Sequence, residues 1–288
     1  MIIAVSDVHL GWDDDKENVK KQDEFLDFLN YCDTSKIDHL VLLGDIFDFW
    51  ARSNARIFST GSQDAAIRKI VKTNEEIFSR LTSLHAKEVH YVVGNHDYLV
   101  HDLHATNPET YPFSIDKKLR LSDGGKNFFF THGYDLDVRV NMELFKMSVD
   151  SYEKTCFALS FMTDRTGWAA VNGWGLGEKI SQFMDALKYM NTEPAKRKEC
   201  YAAVELLANS RAAGLFLGMR PGDNLVYGHT HRPYYAQCAG GYEVANTGFW
   251  AGKSSRDDKD VNTYVKIDNG RMSQCTFTGD DIFRQKCS

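Results

Sequence analysis

The sequence predicts an α/β protein with two sheets and a helical insertion, and three observations carry that reading. Short runs rich in Val, Ile, Leu and aromatics occupy residues 2–5, 40–43, 89–93, 128–130 and 225–227, each closed by a polar or glycine-containing turn. Such runs suit strands buried on both faces. Between the first of them lie stretches with apolar residues at helical spacing, and strands alternating with helices favour parallel βαβ units. Each run is also followed by His, Asp or Asn: Asp7-Val-His9, Gly44-Asp45-x-x-Asp48, Gly94-Asn95-His96-Asp97, His132-Gly133 and Gly228-His229-Thr-His231. Polar residues placed after the carboxyl ends of several strands converge on one sheet edge, where open α/β folds hold their sites.

Taken in chain order, residues 22–30 read as a helix through Phe25, Leu26, Phe28 and Leu29. Residues 65–84 read likewise through Ile67, Ile70, Val71, Ile77, Phe78 and Leu81. Around residues 127–131 the pattern tightens to strand and loop. Residues 138–219 change character, with long helical patterns through Met142, Phe145, Phe157 and Leu159, then Ile180, Phe183 and Leu187. A further helix is expected over 195–217, with a basic start at Lys196, Arg197 and Lys198; a glycine-rich loop with Trp168 and Trp174 lies between the helices at 167–177. Because this block separates the fourth polar motif from the fifth, it reads as an inserted helical cap over residues 138–219, beside a core of residues 1–137 and 220–288. Strand patterns return at 234–237, 242–245, 263–267 and 272–277, punctuated by Gly240-Gly241 and Asp268-Asn269-Gly270. They are expected to form a second sheet packed on the first.

A chain of 288 residues accommodates one large domain or a domain with a substantial insertion. With 43% hydrophobic and 26% charged residues it resembles an ordinary globular enzyme. No apolar run approaches the roughly 18 residues of a membrane span. The start, MIIAVSDVHLGW, lacks the basic leader of a signal peptide, so a cytoplasmic location is expected. A net charge of −6 argues against broad attraction to nucleic acid. The six cysteines are irregularly spaced and form no CxxC pair, so inert, mostly buried thiols are expected rather than a disulfide framework or a thiolate zinc site.

The motifs hold a donor set for metal ions. Asp7 and His9 are two apart, so on an extended backbone both side chains point the same way and serve one ion. Asp45 has two carboxylate oxygens with which to bridge two ions. Asn95 offers a neutral oxygen, and His132, His229 and His231 add imidazole nitrogens. A lone His or Asp near a strand end is usually structural; the inference rests on five clusters occurring together, each after a strand. His39, His85, His90, His101 and His104 lie outside the motifs and receive no role.

The ordered set D-x-H, G-D-x-x-D, G-N-H-D, H-G and G-H-T-H resembles the calcineurin-like metallophosphoesterases from Asp7 to His231. The resemblance implies a four-layer αββα sandwich of two mixed β-sheets flanked by helices, with a dinuclear centre at the loop end. It implies Asp7, His9, Asp45 and His231 as ligands of one ion, and Asp45, Asn95, His132 and His229 of the other, with Asp48 a hydrogen-bond partner behind them. Two ions about 3.5–4 Å apart lower the pKa of a bridging water and hold hydroxide in line with phosphorus. His96 then protonates the leaving oxygen, with Asp97 orienting its ring. Manganese is favoured by the oxygen share, with iron, zinc or cobalt as alternatives.

The stretch Gly44-Asp-Ile-Phe-Asp-Phe-Trp50 is similar to the UDP-2,3-diacylglucosamine pyrophosphohydrolases, in which a helical cap covers acyl chains. That similarity implies a nucleotide-diphosphate lipid or sugar as substrate, and peripheral membrane contact through the cap. His96 departs from it, because those enzymes carry arginine there. Arg52, Arg56, Arg139 and Asn246 are expected on the substrate side. A general phosphodiesterase or nuclease remains an alternative. So does a catalytically weak protein-interaction scaffold like the retromer subunit, although every ligand position and His96 are retained.

Overall fold

The chain, seen in a computed structural model, is described over residues 1–11, 16–35, 37–49, 69–84, 88–101, 114–161, 177–192, 194–250, 262–277 and 286–287. In chain order the elements are β1 (Ile2–Val5), α1 (Lys16–Thr34), β2 (His39–Leu43), α2 (Glu75–Ser83), β3 (Glu88–Val92), β4 (Ser114–Asp116), β5 (Lys118–Asp123) and β6 (Lys126–Thr131). Then come α3 (Tyr134–Val140), α4 (Met142–Phe145), α5 (Val149–Phe161), α6 (Gly177–Thr192), α7 (Pro194–Ala208) and α8 (Ala212–Leu217). Strands β7 (Asp223–Tyr227), β8 (Tyr234–Gln237), β9 (Glu243–Asn246), β10 (Thr263–Asp268), β11 (Arg271–Thr276) and β12 (Lys286–Cys287) follow.

The strands form two mixed sheets, ordered β12-β11-β10-β1-β2-β3-β4 and β5-β6-β7-β9-β8. In the first, β1 to β4 run parallel and β10 lies antiparallel to β1; in the second, β6, β7 and β9 are parallel. The period-2 alternation of each strand distributes its apolar side chains between two layers. Ile2, Ala4, Val41 and Leu43 meet Phe128, Phe130, Val226 and Ala245 between the sheets. Ile3, Val5, Leu40 and Leu42 face the other way, onto Phe25, Phe28 and Leu29 of α1 and Ile77 and Leu81 of α2. Phe129, Leu225 and Tyr227, on the outer face of the second sheet, pack on Leu136 of α3, Val204 and Ala208 of α7, and Ala213 and Leu217 of α8. The result is the αββα layering expected, except that β10 and β11, expected in the second sheet, extend the first one beside β1. Each fully buried Val, Leu, Ile or Phe among these side chains contributes roughly 1.5–3 kcal/mol of transfer free energy.

Helices α4 to α8 lie between β6 and β7 in sequence. Phe145 (α4), Tyr152 and Cys156 (α5) and Phe183 and Ala186 (α6) belong to the same apolar cluster as the first sheet's outer face. Tyr134 stacks on Tyr152 at 5.7 Å between ring centres, and Tyr152 meets Phe183 edge-on at 5.3 Å. These apolar faces are therefore core, leaving Met142, Met184, Leu206, Leu215 and Phe216 as the exposed large hydrophobics of these helices among the described residues.

Several local expectations change. In the stretch read as one helix over 65–84, the described part is helical over 69–73, turns at Asn74 and resumes as α2. The Asn74 amide donates to the carbonyls of Gly11 and Ile70, each at 2.8 Å, the competition with backbone bonding that asparagine brings to a helix. The helix read over 195–217 divides into α7 and α8, where Ser210 Oγ donates to Leu207 O at 2.9 Å. β4, β5 and β12 were not expected: β5 carries only Leu119 and Leu121 as apolar residues and borders its sheet. Residues 167–176, and with them both tryptophans, lie outside the described residues, as do Trp50, Arg52 and Arg56. Cys275 is disulfide-bonded, and the β11–β12 register sets Cys287 opposite it. The expectation of unpaired thiols therefore holds only for Cys32, Cys156, Cys200 and Cys238. Among the described residues no helix is long and apolar enough to cross a membrane.

Candidate metal centre

Asp7, His9, Asp45 and Asn95 follow β1, β2 and β3 of the first sheet, whereas His132, His229 and His231 follow β6 and β7 of the second. All leave their strands at the carboxyl ends, so the loops of both sheets meet along one edge. The backbone there is unusual: Asp7, His9, Asp45, His229 and His231 have φ of 55°, 50°, 53°, 68° and 56°. Left-handed backbone costs non-glycine residues roughly 1–2 kcal/mol each, and such outliers cluster at functional sites. This replaces the expectation that Asp7 and His9 share an extended segment; they converge through two left-handed turns. Hydrogen bonds between loops hold them: Asp7 N to Gly44 O at 3.0 Å, His9 N to Asp45 O at 2.9 Å and Gly228 N to His132 O at 2.9 Å. The glycines permit the close approach. A Cβ on Gly94 would run into Asp45 Oδ1 and its backbone N, and one on Gly228 into Ser6 Oγ and Asp7 Oδ2.

The side chains meet at ligand distances. His231 Nε2 lies 3.1 Å from Asp7 Oδ1 and 3.3 Å from His9 Nε2. His132 Nε2 lies 3.2 Å from Asp45 Oδ2 and 3.9 Å from Asp7 Oδ1. Asp7, His9 and His231 form one group of donors, and Asp45, His132 and His229 another, with donor atoms in each within 4.8 Å of one another. Hydrogen bonds from behind fix the ring orientations. His132 Nδ1 donates to Leu43 O at 2.9 Å, and His229 Nε2 donates to Asp137 Oδ2 at 2.9 Å. Asp7 Oδ2 accepts from Ser6 Oγ and from His229 N.

The charge balance is tight. Burial opposes ionisation of Asp7, but His231 and His132 outweigh it and hold its carboxyl down at about 2. Burial likewise opposes a charge on His132, yet Asp45 and Asp7 lift the ring to about 10. His9 goes the other way: burial, then the neighbouring His96, lowers it to about 4. His96 Nδ1 donates to Asp48 Oδ1 at 3.0 Å. Against the cost of burial, Asp48 and Asp45 raise the His96 ring to about 9.

Asp48, not Asp97, is thus the carboxylate on His96. Asp97 is buried and accepts from Ile46 N at 2.9 Å, Gly94 N at 2.6 Å and the Tyr91 hydroxyl at 2.5 Å, so it ties the second motif loop to the third. Burial and then the nearby Asp45 push its carboxyl up to about 6. Asn246 is buried and committed as well: its amide donates to Gly228 O at 2.8 Å and Thr230 Oγ1 at 3.1 Å, and its oxygen accepts from Gly248 N. It braces the last motif loop rather than facing a substrate. Arg139 is exposed, its guanidinium 4.9 Å over the Phe216 ring. The residue that sequence reasoning missed is Asp137, which carries no motif and meets His229 only through the placement of α3.

Three buried atoms of the site, Asp7 Oδ1, Asn95 Oδ1 and His132 Nε2, make no hydrogen bond; Asp7 Oδ1 and His132 Nε2 keep ionic contacts with His231 and Asp45. Leaving a buried polar atom unsatisfied costs roughly 1–3 kcal/mol. Hard oxygens and imidazoles so left are the donor chemistry of divalent cations, and the set fits them.

A family model for calcineurin-like phosphoesterases matches residues 1–233. Among solved structures, a dimetal phosphatase from Danio rerio is 13% identical, with 95% of this chain and 94% of that one covered and a TM-score of 0.45. A conserved protein described as a predicted phosphoesterase, from Streptococcus pneumoniae, is 14% identical over 97% and 89% of the two chains, with a TM-score of 0.37. Vacuolar Protein Sorting 29 from Cryptosporidium parvum is 12% identical over 100% and 94%, with a TM-score of 0.35. No curated protein matches the chain. The match over residues 1–233 means that this chain belongs to the calcineurin-like phosphoesterases, metal-dependent hydrolases of phosphate esters.

Proposed function

We propose that the chain hydrolyses a phosphodiester or pyrophosphate bond using two divalent cations. Asp7, His9, Asp45 and His231 would hold one, and Asp45, Asn95, His132 and His229 the other. The observation that carries this is the meeting of donors from both sheets around buried atoms that make no hydrogen bond. Bound there, the cations would supply Lewis-acid charge for the phosphoryl oxygens and activate water at neutral pH. Manganese is proposed on the oxygen share of the donors, ahead of iron, zinc and cobalt.

The chain's own residues do the rest. The Leu43 carbonyl fixes the proton of His132 on Nδ1 and leaves Nε2 as its ligating atom; Asp137 fixes that of His229 on Nε2 and leaves Nδ1. Asp48 holds the His96 ring by Nδ1, so that the proton on Nε2 passes to the leaving oxygen as the bond to phosphorus breaks. Asp97 acts one step back, keeping the His96 loop against the Asp45 loop.

For substrate we propose a nucleotide-diphosphate lipid or sugar. The support is the Gly44–Trp50 segment, with Arg52 as a phosphate contact, and helices α4 to α8 beside the centre. A cytoplasmic setting accords with that reading. The test is a hydrolysis panel on metal-replete protein: an aryl monoester, an aryl diester, a UDP-sugar, a UDP-lipid and a cyclic nucleotide. Turnover of a diester or diphosphate that chelation and Asp45→Asn abolish is expected. No turnover anywhere in a metal-replete sample would overturn the hydrolytic reading, and activity confined to the aryl diester would overturn the lipid reading.

A further inference from the structure

At the opposite end of β2 and β3 from the metal centre, His39, Glu88 and His90 form a second donor cluster. His39 and Glu88 are directly paired in the parallel β2–β3 register, and His90 lies two residues along β3. Alternation along a strand puts Glu88 and His90 on one face, the face whose next residues, Val41 and Val92, point between the sheets. The cluster therefore sits at the amino edge of the inter-sheet layer. Six residue steps along β2 and its loop part His39 from Asp45, roughly 20 Å at strand rise.

Its donor atoms form a compact triangle. His39 Nδ1 is 3.1 Å from His90 Nε2, His90 Nε2 is 3.3 Å from Glu88 Oε2, and His39 Nδ1 is 3.6 Å from Glu88 Oε2. A tetrahedral zinc with bonds of about 2.0–2.1 Å has ligand atoms about 3.3–3.4 Å apart along each edge, so the triangle has the dimensions of one tetrahedral face. The side chains differ in exposure: His90 is 8% exposed, His39 23% and Glu88 61%. The triangle thus opens to solvent on the Glu88 side, where water would complete the tetrahedron. Burial, and then the neighbouring His39, lower the His90 pKa and keep that ring neutral, the form that ligates. The rings are also held near each other by the sheet, at 5.3 Å between centres, so little side-chain entropy remains to be lost on binding.

We infer that His39, Glu88 and His90 bind one zinc-class divalent cation, which ties β2 to β3 at the sheet edge remote from the hydrolytic centre. Two imidazoles and one carboxylate, with no thiolate, suit zinc and its neighbours rather than calcium or magnesium.

The test uses the full-length chain and zinc alone. Wild type and the double variant His39→Ala/Glu88→Gln are dialysed to equilibrium against the same micromolar free zinc, and bound metal per chain is counted. His90 is left intact because it is buried, and circular dichroism checks that the variant is folded. The expected result is one equivalent fewer in the folded variant, with aryl diester hydrolysis within about twofold of wild type. Equal zinc stoichiometry in the two would overturn the proposal. So would the loss of an equivalent accompanied by loss of hydrolysis, since that would place the missing ion in the hydrolytic centre.

Discussion

Asp48 decides what His96 can do. Its carboxylate meets the ring at 3.0 Å and keeps the imidazole charged above neutral pH, which suits proton donation. His96→Ala should therefore keep the metals and lose roughly 10²–10⁴-fold in kcat. Metal analysis alongside single-turnover kinetics checks this, and wild-type kcat in a metal-replete variant would rule out the acid role. Asp137 acts through His229. Replacing it by Asn removes the charge but keeps the shape, so metal affinity should fall roughly 10–100-fold while the fold persists. A chelator competition titration measures that directly. The donors themselves were legible in the sequence because each motif follows an apolar run, with Asp45, Asn95, His132 and His229 directly beside a glycine. Asp137 was not, since it lies 92 residues from His229 and only the docking of α3 brings them together. Nor was the left-handed backbone at Asp7 and His9, because Ser-Asp-Val-His reads as a continuation of β1. Asp97 was misread for a related reason: adjacency to His96 suggested contact, whereas the turn sends its carboxylate to Ile46 and Gly94.

Among the elements, α6 tests how the helices between β6 and β7 are built into the molecule. Phe183 is buried against Tyr152 and Phe145. Phe183→Ala should cost roughly 3–5 kcal/mol of stability by opening a cavity in a shared core. Urea unfolding followed by both circular dichroism and tryptophan fluorescence should shift to lower concentration as one transition. Separate transitions would show that these helices unfold on their own. The central strands were legible because they are short, rich in aliphatic or aromatic residues and closed by a polar or glycine-containing turn. β5 and β4 were not, because border strands with one wet face carry few apolar residues, and β12 is a two-residue pairing. The His39–Glu88–His90 cluster was equally invisible, because it exists only through the pairing register of two strands.

Across the whole molecule, the charge balance of the metal-free centre fixes its response to pH. His132 is raised to about 10 and His96 to about 9, from an ordinary value of 6.5. Raised imidazoles stabilise the fold fully below 6.5, and that contribution is lost as pH rises through 9 to 10. Metal-free protein should therefore melt at a lower temperature near the top of that window than at neutral pH. At neutral pH metal loading must displace the His132 proton, so about one proton per chain should be released. Calorimetry in buffers of differing ionisation enthalpy measures it, and the absence of a buffer dependence would contradict the protonated His132.

The donors are divided between the two sheets, Asp7, His9, Asp45 and Asn95 from one and His132, His229 and His231 from the other. Cations that bridge this set would act as rivets through the sandwich, since neither sheet can slide without lengthening a bond. Amide hydrogens of β1, β2, β6 and β7 should then slow their exchange together when metal is added, by a common factor rather than strand by strand. The hydrolytic centre would thereby also be the clasp that fastens one half of the architecture to the other.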